Sequence, residues 1–255
     1  MDILIIGHGT VGSGIRRRLA KLSPAVVDKY KPELTDYDPG KKYGIAFVCV
    51  DTPIGRNSAC DVSEVFNAVR DNDAEIFVIK STVLPGVSDR IAEETGKRIV
   101  FSPEFYGGTQ HCGNFDFDFT ILGGEKADCV EVQQALQQAF DARHRFRFTD
   151  RKTAELCKYM ENCYLAAKVT FCNEFFRIAE KLGVCYEELR ELVTLDPRIC
   201  PAHTFVYRDR PYWQSHCLDK DVRAIAKFSG SSYLKSIIET NELHKTAGGK
   251  NESDA

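Results

Sequence analysis

The sequence predicts an α/β protein: a Rossmann-like doubly wound sheet followed by a long-helix all-α domain. Three observations carry that reading. Short apolar runs recur through the first 150 positions, each ending in polar or turn residues and followed by a helix or a loop. The first of these runs opens into Gly7, Gly9 and Gly12. From Asp150 the pattern changes, and no Gly or Pro occurs between Thr153 and Leu182, which leaves room for one helix of about thirty residues. The expected divisions are 1–150 for the sheet domain, 151–245 for the helical domain and 246–255 for a disordered tail of Gly, Ser, Asn and charged residues.

The opening segment contains the strongest local signal. Ile3 to Ile6 reads as a strand, Val11, Ile15 and Leu19 as one face of a helix, and Val26-Val27 as a second strand ending on Asp28. That acid lies sixteen residues after Gly12. In a strand, glycine turn, helix, strand and acid of this kind, Gly7 makes the tight turn and Gly9 lets a pyrophosphate approach the backbone. Gly12 allows close packing, and Thr10 and Val11 present the helix N-terminus to phosphate charge. Asp28 is placed to accept from a ribose hydroxyl and to repel a 2′-phosphate, so the expected cofactor is NAD rather than NADP; Lys29 and Lys31 act in the opposite sense. His8 is expected only to line this loop.

Residues 29–43 form a polar, proline-bearing connection, read as a loop with at most a short turn. Ile45 to Val50 reads as a buried parallel strand, leading into Asp51-Thr52-Pro53-Ile54-Gly55 at the carboxyl edge of the sheet, where such folds bind ligands. Val50 and Thr52, with Thr82 at the end of a later strand, are therefore candidate cofactor contacts. Cys60 to Val69 is expected to be helical. Strands follow at Ile76 to Ile79 and Arg98 to Phe101, with a helix opening at Pro85-Gly86 between them. After a glycine-rich aperiodic stretch come a strand at Phe119 to Leu122, a helix from Glu125 to Phe140 and a strand at Arg145 to Phe148. In the helical domain a short helix is expected over Glu187 to Leu195, an irregular segment over Asp196 to Trp213, and helices over Leu218 to Phe228 and Ser231 to Leu243.

Composition narrows the class. Hydrophobic content of 43% and a net charge of -3 fit a globular protein and give no bulk reason to expect nucleic acid or a membrane as partner. Ten cysteines without a CxxC spacing point to a reduced, cytoplasmic protein whose thiols are mostly structural. His111, Cys112, His203, His216 and Cys217 match no common metal spacing, so no metal is expected.

Five loop and helix motifs occur in order. They are Val48-Cys49-Val50-Asp51-Thr52-Pro53, Lys80-Ser81-Thr82-Val83-Leu84-Pro85-Gly86, Pro103-Glu104-Phe105, Glu155-Leu156-Cys157-Lys158-Tyr159-Met160-Glu161-Asn162, and Cys217-Leu218-Asp219-Lys220-Asp221. Together they resemble the UDP-glucose/GDP-mannose dehydrogenase family over about residues 1 to 230. The resemblance implies NAD-dependent oxidation of a sugar primary alcohol to the carboxylate, with removal of two hydrides through a cysteine thioester. It makes Cys217 the nucleophile, Lys158 and Asn162 the pair that holds the reacting oxygen, and Glu104 the acid–base group for thioester hydrolysis. Thr82 and Asp221 become the groups around the water and the lysine, while Lys220 receives no separate task. The residue chemistry agrees: Lys158 and Asn162 are i and i+4 on one helix face, and a thiolate at a helix start near a lysine is readily activated.

The sequence departs from that family in three places. A third, nucleotide-type domain that follows the linker helix in the family is expected to be missing here. The loop before Cys217, glycine-rich in the family, is Arg208 to His216. The arginine-containing run after Pro-Glu-Phe is replaced by Tyr106-Gly107-Gly108-Thr109. Substrate contacts are therefore expected from Phe105, Tyr106, Lys158, Asn162, Arg208, Arg210 and Trp213. The expected substrate is a sugar nucleotide or sugar phosphate, and the long helix implies a homodimer. Two other readings stay open: a two-electron dehydrogenase of the hydroxyacid or 6-phosphogluconate kind, and a non-catalytic NAD-binding dimer.

Overall fold

The structure is a computed structural model that describes residues 2–55, 60–105 and 117–248. The chain divides into two compact units, the first reaching Lys158 and the second running from Tyr159.

The first unit is built on seven strands: β1 (Ile3–Ile6), β2 (Ala25–Val27), β3 (Tyr43–Val48), β4 (Ala74–Ile79), β5 (Arg98–Phe101), β6 (Phe119–Gly123) and β7 (Arg145–Thr149). Their order in the sheet is β2-β1-β3-β4-β5-β6-β7. β1 to β5 are parallel to their neighbours, β6 pairs antiparallel to β5 through Phe101 and Gly123, and β7 runs parallel to β6. The helices of this unit are α1 (Thr10–Arg18), α2 (Ser63–Arg70), α3 (Val87–Thr95) and α4 (Lys126–Gln137), together with the first part of α5 (Arg151–Leu182).

Both faces of the sheet are covered, which explains the unbroken apolar runs of its central strands. Ile3, Ile5, Ile45, Phe47, Ile76, Val78 and Val100 pack with Ile15 and Leu19 on one side and with Val132 and Leu136 of α4. Leu4, Ile6, Ala46, Val48, Phe77, Ile79, Ile99 and Phe101 pack on the other side with Val65, Val69, Ile91 and Ala154. The edge strand β2 is closed by the connection that follows it: Asp36 accepts from the Val26 amide through its side chain and donates its own amide to the Val26 carbonyl. A single 3-10 turn at Pro32–Leu34 occupies that connection, in place of a crossover helix.

Several boundaries differ from the sequence expectation. β3 begins at Tyr43 and ends at Val48, because Tyr43 is buried and paired with Ala74. Beyond Val48, the Val50 carbonyl takes a hydrogen bond from the Ser81 hydroxyl at 2.6 Å instead of a ladder partner. α2 starts at Ser63 rather than Cys60.

The second unit holds the rest of α5, then α6 (Tyr186–Val193), α7 (His216–Ser229) and α8 (Ser232–Gly248). α5 is unbroken, as the absence of Gly and Pro predicts, and ends at Gly183 with φ +68°, where the Val184 amide returns to the Ala179 carbonyl at 2.9 Å. Its core lies around Ala166, Trp213, Val222 and Ile237, with a smaller cluster of Cys172, Phe176, Ala179 and Tyr186. α8 extends five residues beyond Leu243, and the Thr246 hydroxyl donates to the Glu242 carbonyl within it, so the helix takes in the first positions assigned to the tail. Residues 249–255 lie outside the described residues. Among the described residues no helix is long and apolar enough to cross a membrane.

Candidate active site

The glycine turn has the geometry its spacing predicts. Gly7 has φ +89°, and a β-carbon there would stand 2.8 Å from the Cys49 carbonyl oxygen. A β-carbon at Gly12 would run into the Gly7 carbonyl oxygen, so α1 can meet the turn only through glycine. Gly9 faces open space. It is the N-cap of α1, which has no side-chain cap and no acidic residue in its first turn, so the amides around Thr10 and Val11 meet no carboxylate of their own helix. Gly12→Ala is expected to abolish NAD binding and to cost about 1–3 kcal/mol of stability, measured by cofactor titration and urea denaturation.

Asp28 stands at the end of β2 with one oxygen taking the His8 amide at 2.6 Å and the other taking the Tyr30 amide at 2.8 Å. Burial works against its charge, but those two amides and the Lys31 ammonium outweigh burial and hold the carboxyl below the ordinary aspartate range. Both neighbouring lysines have partners. Lys29 pairs with Glu64 at 3.0 Å, and Lys31 donates to the His8 carbonyl at 2.8 Å. An ionised acid, an open Gly9 and an uncapped helix end fit a dinucleotide without a 2′-phosphate. Thr52 is buried and spends its hydroxyl on the Thr82 carbonyl at 2.9 Å, so it braces the loop that carries Thr82. Val50 is half-buried beside it.

Glu104 follows β5 and forms an ion pair with Lys80, which follows β4, at 3.2 Å. Burial opposes its charge, but Lys80, with smaller help from Arg18 and the Phe105 amide, outweighs burial and holds the carboxyl below the ordinary glutamate range. A depressed carboxyl contributes stability above its ordinary value and loses that contribution as pH falls through the folded value. Phe105 packs with Phe117 and Phe119 at centroid distances of 6.1 and 5.6 Å, and the Lys158 ammonium stands 5.2 Å from the Phe105 ring. Lys158 and Phe105 thus come together in the first unit. Tyr106, His111 and Cys112 lie outside the described residues.

Glu155, one turn before Lys158, has a role that no local pattern announces. It is fully buried, and its two oxygens accept from the amides of Gly86 at 2.6 Å and Ser88 at 2.8 Å, capping α3 from another element. It thereby ties the helix that carries Lys158 to the loop that carries Thr82. Burial pushes its carboxyl above the ordinary glutamate range despite those bonds, so its contribution to stability is greatest at low pH and declines as pH rises through the folded value. Glu155→Ala leaves two buried amides unpaired and is expected to cost about 1–3 kcal/mol, read from denaturant midpoints.

In the second unit Asn162 donates to Asp221 at 2.6 Å, and Lys220 donates to the other oxygen of Asp221, also at 2.6 Å. All three side chains are buried. Cys217 lies one turn before Asp221 on α7 and is exposed. Its turn is held by the Ser215 hydroxyl, which accepts from the Leu218 amide at 3.0 Å, and by Asp219, which accepts from the Ser215 amide at 2.9 Å. Lys220, expected near Cys217 as an activating charge, pairs with Asp221 at 2.6 Å. Cys217 also stands in the first turn of α7, at the end of the helix where a thiolate is favoured. Burial pushes the Cys49 thiol up to about 12 and the Cys163 thiol to about 11.

Trp213, expected as a substrate contact, is buried. Its ring is buried in the core, its indole N–H donates to the Thr170 hydroxyl at 2.9 Å, and Asn241 binds its backbone on both sides. Arg208 pairs with Glu187 at 3.1 Å and stands over the Phe176 ring, while Arg210 is exposed. Among the described residues no group of three or more His, Cys, Asp or Glu is placed to hold a metal.

Two sequence models of one family match the chain. The NAD binding domain of the UDP-glucose/GDP-mannose dehydrogenase family matches residues 32–141, and the central domain of the same family matches residues 152–243. The chain belongs to that family. The UDP-glucose/GDP-mannose dehydrogenase match starts after the glycine turn, so Gly7 to Asp28 stand on their own geometry, and NAD as cofactor agrees with the domain matched. Among relatives, the UDP-glucose 6-dehydrogenase of Rickettsia prowazekii is 26% identical over 95% of this chain and 67% of its own length. An uncharacterised protein of Methanocaldococcus jannaschii is 31% identical over 68% of this chain and 21% of its own. The chain therefore spans two thirds or less of these relatives. A solved UDP-glucose dehydrogenase from Pyrobaculum islandicum has the same fold, with a TM-score of 0.77 over 95% of this chain and 68% of that one at 23% identity.

Proposed function

We propose that this chain carries the NAD-binding and central parts of a dehydrogenase that oxidises the primary alcohol of a nucleotide sugar to the carboxylate through a thioester on Cys217. The observation that carries the reading is the 2.6 Å hydrogen bond from Asn162 to Asp221, which fixes Asn162 to the turn of α7 that presents an exposed Cys217. Bound NAD supplies the hydride acceptor, one molecule for each of two oxidations.

The chain's own residues do the rest. Lys158 stabilises the alkoxide as the alcohol passes its proton to the water beside Thr82 and Asp221, and Asn162, one turn further along α5, donates to the same oxygen. Loss of the first hydride leaves the aldehyde. The Cys217 thiolate adds to the aldehyde carbon, forming a C–S bond whose oxyanion those groups hold. Loss of a second hydride from that carbon leaves the thioester. Water then attacks the carbonyl, Glu104 takes one of its protons, and the C–S bond breaks to give the free thiolate and the acid, which releases its remaining proton to solvent as the carboxylate. Thr82 and Asp221 position the water and the lysine, with Thr52 and Glu155 bracing the Thr82 loop. Phe105 and Arg210 are proposed as substrate contacts.

The relatives' names make UDP-glucose the first substrate to try, followed by GDP-mannose and simple sugar phosphates. The experiment is to count NADH formed per substrate consumed. Two per substrate supports the reading. One per substrate favours a two-electron dehydrogenase and sinks it, and NAD binding without turnover favours a binding protein.

The reading includes a cytoplasmic homodimer. Tyr164, Phe171, Phe175, Ile178 and Leu182 leave an exposed apolar stripe along α5 at helical spacing, which supports pairing with a second copy. Sedimentation at micromolar concentration tests it, and a monomer there would refute it.

A further inference from the structure

The proposed mechanism assigns no task to Lys80, yet the side chain is buried at the carboxyl end of β4, where this fold collects its chemistry. Its three ammonium protons meet three consecutive residues. They are the Ser102 hydroxyl at 3.1 Å, the Pro103 carbonyl at 3.4 Å and the Glu104 carboxylate at 3.2 Å. Ser102 is itself almost fully buried. One cation therefore grips the whole corner from which Glu104 projects.

A buried ion pair is a poor way to gain stability, because desolvation of two charges offsets their attraction and apolar residues of similar size pack as well. Such a pair at a strand end, with every donor directed at one corner, fits a task better than it fits packing. We infer that Lys80 is the positioning residue for the hydrolytic step, holding Glu104 in place and in its carboxylate form so that it takes the proton from water. The inference rests on the proposed role of Glu104 as the base.

The groups that face Glu104 come from three elements. Lys80 lies beyond β4, Arg18 reaches in from α1 as a second and smaller positive influence, and the Cys49 thiol follows β3. Cys49 is kept neutral by its burial, so Lys80 is the main counter-charge. Without it, burial dominates and the carboxyl moves upward toward the protonated form, which cannot accept a proton from water.

The test uses the full chain labelled with 13C at glutamate carboxyls, with the Glu104 signal assigned by its loss in Glu104→Gln. In Lys80→Met the Glu104 titration midpoint is expected to rise by about 1–3 pH units, while Lys80→Arg restores it to near the starting value. The acidic limb of kcat for carboxylate formation is expected to move by the same amount. Should Lys80→Met fail to fold, Lys80→Gln carries the same expectation, since it keeps a donor and drops the charge. An unmoved Glu104 midpoint overturns the inference whatever the activity does. A midpoint that moves while the kcat limb stays fixed also overturns it. In that case Glu104→Gln identifies which idea failed: retained turnover means that Glu104 is not the base, and lost turnover means that Lys80 does not control it.

Discussion

Serine in place of Cys217 is expected to leave the fold intact and to lower carboxylate formation by roughly three orders of magnitude or more. The side chain is exposed in the first turn of α7, and neither the Ser215 cap nor the Asp219 bond to the Ser215 amide involves it. Serine is well tolerated near a helix start, so the melting temperature should stay within about 1 °C. The chemistry changes because a hydroxyl is a far weaker nucleophile than a thiolate near neutral pH and has no neighbouring base assigned to activate it. The aldehyde then has no covalent stage to hold it between the two oxidations. Product analysis should find no acid and at most one NADH per substrate. An unchanged rate of acid formation would exclude the thioester route.

Asp221→Ala is expected to be among the most damaging single changes in the second unit. It leaves the buried Lys220 ammonium without its 2.6 Å partner and removes the acceptor of the Asn162 amide. Breaking a buried pair in this way costs about 3–5 kcal/mol. For a chain of this length that is a drop in melting temperature of about 10 °C. The double variant Lys220→Met/Asp221→Leu removes the charge together with its partner and the acceptor of Asn162, and should recover part of that loss. Its turnover should not recover, because Asn162 is no longer held to the turn that carries Cys217. A melting temperature within about 1 °C of the parent in Asp221→Ala would show that the network contributes nothing to stability. Recovery of turnover in the double variant would show that it does not position Asn162.

Much of this protein could be read from residues near one another in the chain. The glycine spacing placed the Gly7 turn, since only glycine meets the Cys49 carbonyl at that φ and only glycine at position 12 lets α1 reach the turn. The apolar runs placed the central strands, because parallel strands buried on both faces need no alternation, and the Arg-Phe alternation placed β7. The absence of Gly and Pro placed the 32 residues of α5. These are local constraints, imposed by backbone geometry and periodicity, and a sequence states them directly.

What lay beyond that reading depends on partners far apart in the chain. The antiparallel turn of β6 against β5 follows from no pattern within either strand. Glu155 caps α3 across 67 and 69 positions, Asp221 reaches Asn162 across 59, and Trp213 is drawn into the core by Thr170 across 43. A motif named Lys80 and Lys220 without a task, because the worth of a charge depends on what buries it and what stands opposite. The sequence determined which residues are proposed to carry the chemistry, but only the tertiary structure decided which carboxylates hold their charge and which amides they bind. Burial and counter-charge are set by packing between segments that the chain order keeps apart.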